Sequence, residues 1–127
     1  MIDDVLHDMP EEYRDRFEAV HGEEPVPISE LQQGLAHYVR TVEQLAAITT
    51  RVDLRTARAL AATAEALLRV RWRDEPSRRL AQAAARYFVL EEDDDEITGV
   101  LSFDDDRAVL NAVCRALDRA DLVVRDP

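Results

Sequence analysis

The sequence predicts an all-α protein, a bundle of four to five helices with an acidic helix-loop-helix near the C-terminus. Only three glycines and five prolines occur among the 127 residues. Both residue types disfavour helix interiors, so their scarcity leaves room for long helices. Alanine is frequent, and apolar side chains recur three and four residues apart between the prolines. This spacing is typical of helices with one buried face, and we predict no β-strand.

The length fits one domain over residues 1–127, large enough to bury a single core. We predict an N-terminal helix within 1–22, a proline-rich connector at 23–28 and a helical core over 29–127. Pro10 suits the first turn of the N-terminal helix, and Gly22 suits its end. This helix is short, so we expect it to dock loosely.

Four capping signals place the helix starts within the core. Ser29 and Gln32 have the spacing of a capping box, and Asp53 can cap the helix that follows. Pro76 suits the start of the next helix. Ser102 with Asp105 forms a box-like start to the last one.

Apolar residues at helical spacing follow each of these starts and predict the buried faces. The predicted stripes are Leu31, Leu35, Tyr38, Val42 and Leu45; Leu54, Ala57, Ala61, Ala64, Leu67 and Leu68; Leu80, Ala83, Ala84, Tyr87 and Phe88; and Val109, Leu110, Val113, Leu117 and Ala120.

The net charge excludes several classes of partner. A formal charge of -11 and a pI near 4.6 argue against nucleic acid, because phosphate binding needs a cationic face. Anionic membrane surfaces are disfavoured for the same reason. No apolar run is long enough to span a membrane, and the acidic start is unlike a signal peptide. A single cysteine allows no internal disulfide. We therefore expect a cytoplasmic protein.

The charge is arranged in three blocks. Residues 1–30 carry a net -8, residues 31–90 a net +5 and residues 91–127 a net -8, and every basic side chain apart from histidine is arginine. A positive middle between two negative ends is the pattern expected if the ends fold back on the middle.

Residues 86–117, "RYFVLEEDDDEITGVLSFDDDRAVLNAVCRAL", resemble the small helical YkvA-like family, also known as the DUF1232 domain. Tyr87, Phe88 and Leu90 match its aromatic-aliphatic run, residues 93–95 its aspartate turn and residues 104–106 its aspartate pair. The resemblance implies a helix-loop-helix over about a quarter of the chain. It implies no particular activity.

The acidic stretch of residues 91–106 leaves three interpretations open. Its carboxylates can be solvated and partly paired with arginine, they can bind a basic partner protein, or they can hold a divalent cation. Aligned as a calcium loop, the stretch offers ligands at the first, third, fifth, ninth and twelfth positions, with Gly99 at the sharp turn. The candidate calcium or magnesium ligands are Asp94, Glu96, Thr98, Ser102 and Asp105.

No residue pattern supports catalysis. Glu18 and His21 have the Glu-x-x-His spacing of carboxylate-bridged di-iron bundles, but one such pair is not a site. Cys114 falls on an apolar helical face, which predicts a buried and unreactive thiol. His7 and His37 have no acid or cysteine at ligand spacing. We expect a non-enzymatic protein without a cofactor.

A row of arginines ends in the only tryptophan of the chain and predicts a contact surface. Trp and Arg are enriched where proteins bind each other, although Trp72 can equally anchor the rim of the bundle. The predicted contact face consists of Arg51, Arg55, Arg58, Arg69 and Trp72. The sequence thus predicts an acidic helical module that binds another protein or itself, with cation binding through residues 91–106 as the alternative.

Overall fold

A computed structural model describes residues 2–24, 26–48, 53–90 and 104–124, with the backbone alone at Leu90, Asp104 and Asp105. Within these ranges the chain is helical and has no strand, which confirms the all-α prediction. There are six α-helices in the described part, one or two more than expected. They are α1 (Ile2–His7), α2 (Glu11–Gly22), α3 (Ile28–Ala46), α4 (Leu54–Arg69), α5 (Glu75–Leu90) and α6 (Asp104–Ala116), followed by a short 3₁₀ helix, Ala120–Leu122.

Helix α5 is the centre of the molecule and packs against α2, α3, α4 and α6. Its buried apolar side chains include alanines in the middle of the helix, at Ala81 and 83–85, and the aromatic Tyr87 and Phe88 near its end. Phe88 meets Tyr38 of α3 with ring centroids 4.4 Å apart, and Tyr87 meets Phe17 of α2 at 6.3 Å. These tilted aromatic pairs fix the orientation of α5 against two neighbours at once.

The predicted apolar stripes lie in the core, with three exceptions. Leu45 and Leu54 are only half-buried, and Ala120 is exposed because it lies beyond the end of α6, in the 3₁₀ helix. Leu60 is fully buried in α4, although the sequence stripe did not include it. Its position three residues after Ala57 places it on the same helical face.

The N-terminal region differs from the prediction in two ways. An additional helix, α1, precedes Pro10, and the chain turns at Met9 before α2 begins at Glu11. The Arg14 Nε donates a hydrogen bond to the Met9 carbonyl at 3.1 Å, so this turn is held by α2 itself. Phe17 is fully buried, and α2 therefore packs tightly against the core.

The predicted capping box at the start of α3 does not form. The helix already begins at Ile28, with Pro27 at the N-cap and no side-chain cap. Ser29 therefore stands within the helix, because the fixed φ of Pro27 allows an earlier helical start. The cap at Asp53 is confirmed, since its carboxylate accepts hydrogen bonds from the backbone N–H of Thr56 at 3.1 Å and from the Thr56 hydroxyl at 2.6 Å. These bonds lower the pKa of Asp53.

The segment after α6 is fastened to the bundle by side chains. The Asn111 amide both donates to the Val124 carbonyl (2.9 Å) and accepts from the Val124 N–H (2.8 Å), as a neighbouring β-strand would. The Thr63 hydroxyl of α4 donates to the Leu122 carbonyl at 2.9 Å. The C-terminal residues up to Val124 thus lie against α4 and α6.

An ion pair among the described residues joins the positive middle block to the negative N-terminal block. Arg86 of α5, in the positive block, pairs with Glu23 after α2, and its guanidinium also donates to the Glu24 carbonyl. A second pair joins the two negative blocks, between Arg115 of α6 and Asp8 at 2.6 Å. Arg58 and Glu43, in contrast, both belong to the positive block. Exposed pairs of this kind contribute about 0–1 kcal/mol each, so they orient the ends more than they stabilise them.

Candidate functional site

Trp72 is anchored at the end of α4. Its indole N–H donates a hydrogen bond to the Leu67 carbonyl at 3.0 Å. Leu67 lies in the last turn of α4, where backbone carbonyls lack helical partners. The indole satisfies one of them, which fixes the ring in a half-buried position between α4 and α5. This is the amphipathic anchor that the sequence allowed for Trp72.

The link between α4 and α5 is short and held at both ends. Val70 is extended (ψ 137°), and Trp72 secures the α4 side. On the α5 side, the Asp74 carboxylate accepts hydrogen bonds from the Ser77 N–H at 3.3 Å and from the Ser77 hydroxyl at 3.0 Å. Because Trp72 faces inward, its neighbours Arg71 and Arg73 are both exposed.

An open groove of about 370 Å³ lies beside Trp72. Its volume is near the lower end of the range of about 300–1,000 Å³ that ligand pockets occupy. Its walls come from the end of α4, the link, the start of α5 and the first residue of α3. They are formed by Ile28, Leu67, Leu68, Arg69, Val70, Arg71, Trp72, Arg78, Ala81 and Gln82. We call this surface the Trp72 groove.

The arginines of the Trp72 groove fall into two groups. Arg69 and Arg78 are paired on their own helices, with Glu65 at 3.0 Å and Glu75 at 2.9 Å respectively. Arg71 lines the groove and Arg73 follows Trp72, and neither forms an ion pair with any residue in the described ranges. Two cationic side chains thus lie next to the groove without an acidic partner in the described part of the chain.

The structure divides the arginine row that the sequence predicts. Arg55 and Arg58 are exposed near the start of α4, about 16 Å or more along the helix from Arg69. Arg58 also contacts Glu43 of α3 at 2.7 Å. Arg51 lies outside the described residues. Of the predicted contact face, only Arg69 and Trp72 belong to one groove.

The predicted cation ligands cannot be compared with the structure. Asp94, Glu96, Thr98 and Ser102 lie outside the described residues, and Asp105 is described in its backbone alone. Within the described ranges, no group of three or more His, Cys, Asp and Glu side chains is placed to hold a metal ion. Cation binding therefore stays a prediction from the sequence.

His21 lies at the end of α2, beside a small cavity that has room for about one water molecule (20 Å³). Burial and the nearby Arg79 lower the pKa of His21, while Glu18 raises it by a smaller amount. The Arg79 Nε is buried without a hydrogen-bond partner in the described structure. Glu18 itself is exposed, so the Glu-x-x-His pair remains an isolated pair at the surface.

Cys114 is fully buried, as the sequence predicts. Burial, with a smaller contribution from the Asp121 carboxylate, raises the pKa of its thiol to about 11. A thiol reacts as the thiolate, so both the burial and the raised pKa suppress nucleophilic chemistry at this residue.

No protein-family model, curated protein or solved structure matches this chain. The resemblance of residues 86–117 to the YkvA-like family therefore stays a prediction. Most of the corresponding loop lies outside the described residues. None of the described helices is long and apolar enough to cross a membrane.

Sequence reasoning missed several residues of the Trp72 groove. The predicted contact face leaves out Arg71 and Arg73, although the alternation in "RWR" of an extended link places both opposite an inward tryptophan. Ile28 was assigned to the connector, yet it is 39% exposed at the start of α3 and forms one wall. Its position depends on how α3 packs against α4, which no local pattern encodes.

Proposed function

We propose that this chain is a non-enzymatic contact module that binds another protein, or a second copy of itself, through the Trp72 groove. The observation that carries the proposal is the combination of a fixed tryptophan, apolar walls and two exposed arginines without ion-pair partners in the described ranges. Trp and Arg dominate the binding energy of many protein interfaces when they surround a pocket.

The hydrogen bond between Trp72 and Leu67 favours this use of the groove. A side chain that is already held in place loses little conformational freedom when a partner binds. Ile28, which is 39% exposed, and the half-buried Val70 and Trp72 offer apolar surface to a partner side chain. The surrounding arginines then select partners of opposite charge.

The site chemistry of the described residues favours binding over catalysis. The Cys114 thiol is buried and its pKa is raised, and the Glu18–His21 pair stands alone in the described part of the chain. The Trp72 groove itself contains arginine and glutamine but no nucleophile or general base. These features support a role in recognition.

Site-specific photo-crosslinking in the native host tests the proposal. A photoreactive phenylalanine derivative replaces Gln82 in the groove, and in a matched control it replaces Gln44, which is exposed near the far end of α3. We expect a discrete protein adduct from position 82 and none of the same mass from position 44. No adduct at position 82, or identical adducts from both positions, contradicts the proposal.

A further inference from the structure

The Trp72 groove is positive within a strongly negative chain. Residues 69–78 carry four arginines and two acids, whereas the whole chain has a net charge of -11. Both acids, and also Glu65, contact Arg69, Ser77 or Arg78. Arg71 and Arg73 therefore have no acidic partner in the described ranges and can contact a ligand. A ligand with carboxylates and at least one apolar side chain matches this surface.

One segment of the chain has this composition. Residues 91–103, "EEDDDEITGVLSF", carry six acids and no basic residue, and the acids are followed by Ile97, Val100, Leu101 and Phe103. The acidic run matches the arginines, and the apolar run matches the walls of the groove. The segment follows α5 at one end, while the groove lies at the other end of α5.

The attachment points of the segment favour a second copy as its binding partner. The distance along the axis of α5 from Leu90 back to Arg78 is about 18 Å. A chain of 13 residues that leaves α5 and returns to α6 reaches outward about 21–23 Å when fully extended. Binding to its own groove would thus use nearly its whole length and leave little of it for contact, whereas a second copy has no such restriction.

We infer that the Trp72 groove binds the acidic segment 91–103 of a second copy of this chain. The inference rests on the proposed function and names its partner. The acidic run lies along Arg71 and Arg73, and apolar residues of the segment enter the groove. Two copies can exchange segments reciprocally, which gives a symmetric dimer with two equivalent contacts.

A peptide titration tests this inference. Trp72 is the only tryptophan, so its fluorescence reports on the groove alone. A synthetic peptide of residues 91–103 is added to the full chain, and polarisation of a labelled copy of the peptide provides a second readout. We expect a saturable change in both signals that weakens as NaCl is raised, because screening weakens exposed charge contacts.

Two matched controls make the result specific. A peptide with every Asp replaced by Asn and every Glu by Gln keeps the apolar run, and we expect it to bind at least about tenfold more weakly. The double variant Arg71→Glu/Arg73→Glu should lose affinity for the acidic peptide by about the same factor. Arg40→Glu/Arg55→Glu has the same charge change on exposed residues outside the groove and should bind the peptide like the original chain.

Three outcomes of the peptide titration would overturn the inference: no saturable signal with the acidic peptide, equal binding of the amide peptide, or equal loss of affinity in both double variants. A single-stranded oligonucleotide that binds the groove more tightly than the peptide would also overturn it, since a polyphosphate would then be the preferred ligand. If the peptide fails while crosslinking from position 82 captures a different protein, the proposed function stands and only the choice of partner falls.

Discussion

At the scale of single residues, Asp118 shows how the last helix ends. It has a positive φ of 61°, and it follows α6 at the position where helices commonly end in a left-handed residue. The Arg119 N–H donates to the Cys114 carbonyl at 2.7 Å and the Asp118 N–H to the Arg115 carbonyl at 3.2 Å. These two bonds form a Schellman motif, which glycine suits better than any residue with a Cβ.

Asp118→Gly should therefore stabilise the protein. We expect a gain of about 0.5–1 kcal/mol in the free energy of unfolding, because relief of the left-handed strain exceeds the entropy that glycine adds to the unfolded chain. Chemical denaturation measures it. The control variant Asp118→Ala keeps the backbone strain and removes the carboxylate, so it should lower the free energy of unfolding. If both variants were more stable than the original chain, the loss of the charge and not the relief of strain would be responsible.

Cys114 makes stability depend on pH in the alkaline range. Its pKa is about 11 in the folded chain against an ordinary value of 9.0, so the unfolded chain loses this proton first as the pH rises. The stability contributed by the protonated thiol is fully present below about pH 9 and is lost progressively as the pH rises from 9 through 11. It amounts to about 2–3 kcal/mol.

The comparison with Cys114→Ala isolates this effect from the titration of tyrosines. We expect the stability of the original chain to fall more steeply than that of the variant between pH 9 and 11. Urea denaturation at several pH values provides both curves. Parallel curves would mean that the thiol is accessible to solvent in the folded protein.

At the scale of elements, Gly34 sets the distance between α3 and α5. A Cβ at this position would lie 2.9 Å from the Val89 Cγ1, closer than side chains normally approach. Valine is stiff at χ1 in a helix, so it cannot easily move aside. The glycine is therefore explained by packing, even though it weakens the helix by about 1 kcal/mol relative to alanine.

Gly34→Ala consequently brings two opposing effects. The cost of overpacking is about 1–3 kcal/mol and the gain in helix propensity is about 1 kcal/mol, so we expect a net loss of about 1 kcal/mol. The double variant Gly34→Ala/Val89→Ala should be more stable than the sum of the single changes by at least about 0.5 kcal/mol. Thermal denaturation of the four proteins gives this coupling. Additive changes would show that α3 and α5 are not in close contact here.

The elements that could be predicted are those with local signals. The apolar stripe from Leu31 to Val42 and the cap at Asp53 need only helical spacing and an adjacent side chain. Helix α1 is not predicted because its six residues make fewer than two turns, which is too short for a helical repeat of apolar residues to be recognised. The attachment of Val124 to Asn111 was also missed, because the two residues are 13 apart and meet only after α6 has formed.

At the scale of the whole molecule, the charge blocks and the groove belong together. The net positive middle block contains every arginine of the Trp72 groove, while the acidic run that complements it lies in the last block. The sequence indicated this complementarity, and it also indicated Trp72. It could not define the groove, because the walls come from three helices and a link whose packing is set by the core around α5.

The central claim is that copies of this chain contact each other through the Trp72 groove. Sedimentation equilibrium over a series of protein concentrations at low salt tests it most directly, with Arg71→Glu/Arg73→Glu and Arg40→Glu/Arg55→Glu as the pair of variants. The account predicts that the average mass rises above 14.4 kDa with concentration for the original chain and the second variant, and stays near 14.4 kDa for the first. A mass of 14.4 kDa for the original chain at every concentration, or equal association of both variants, would contradict it.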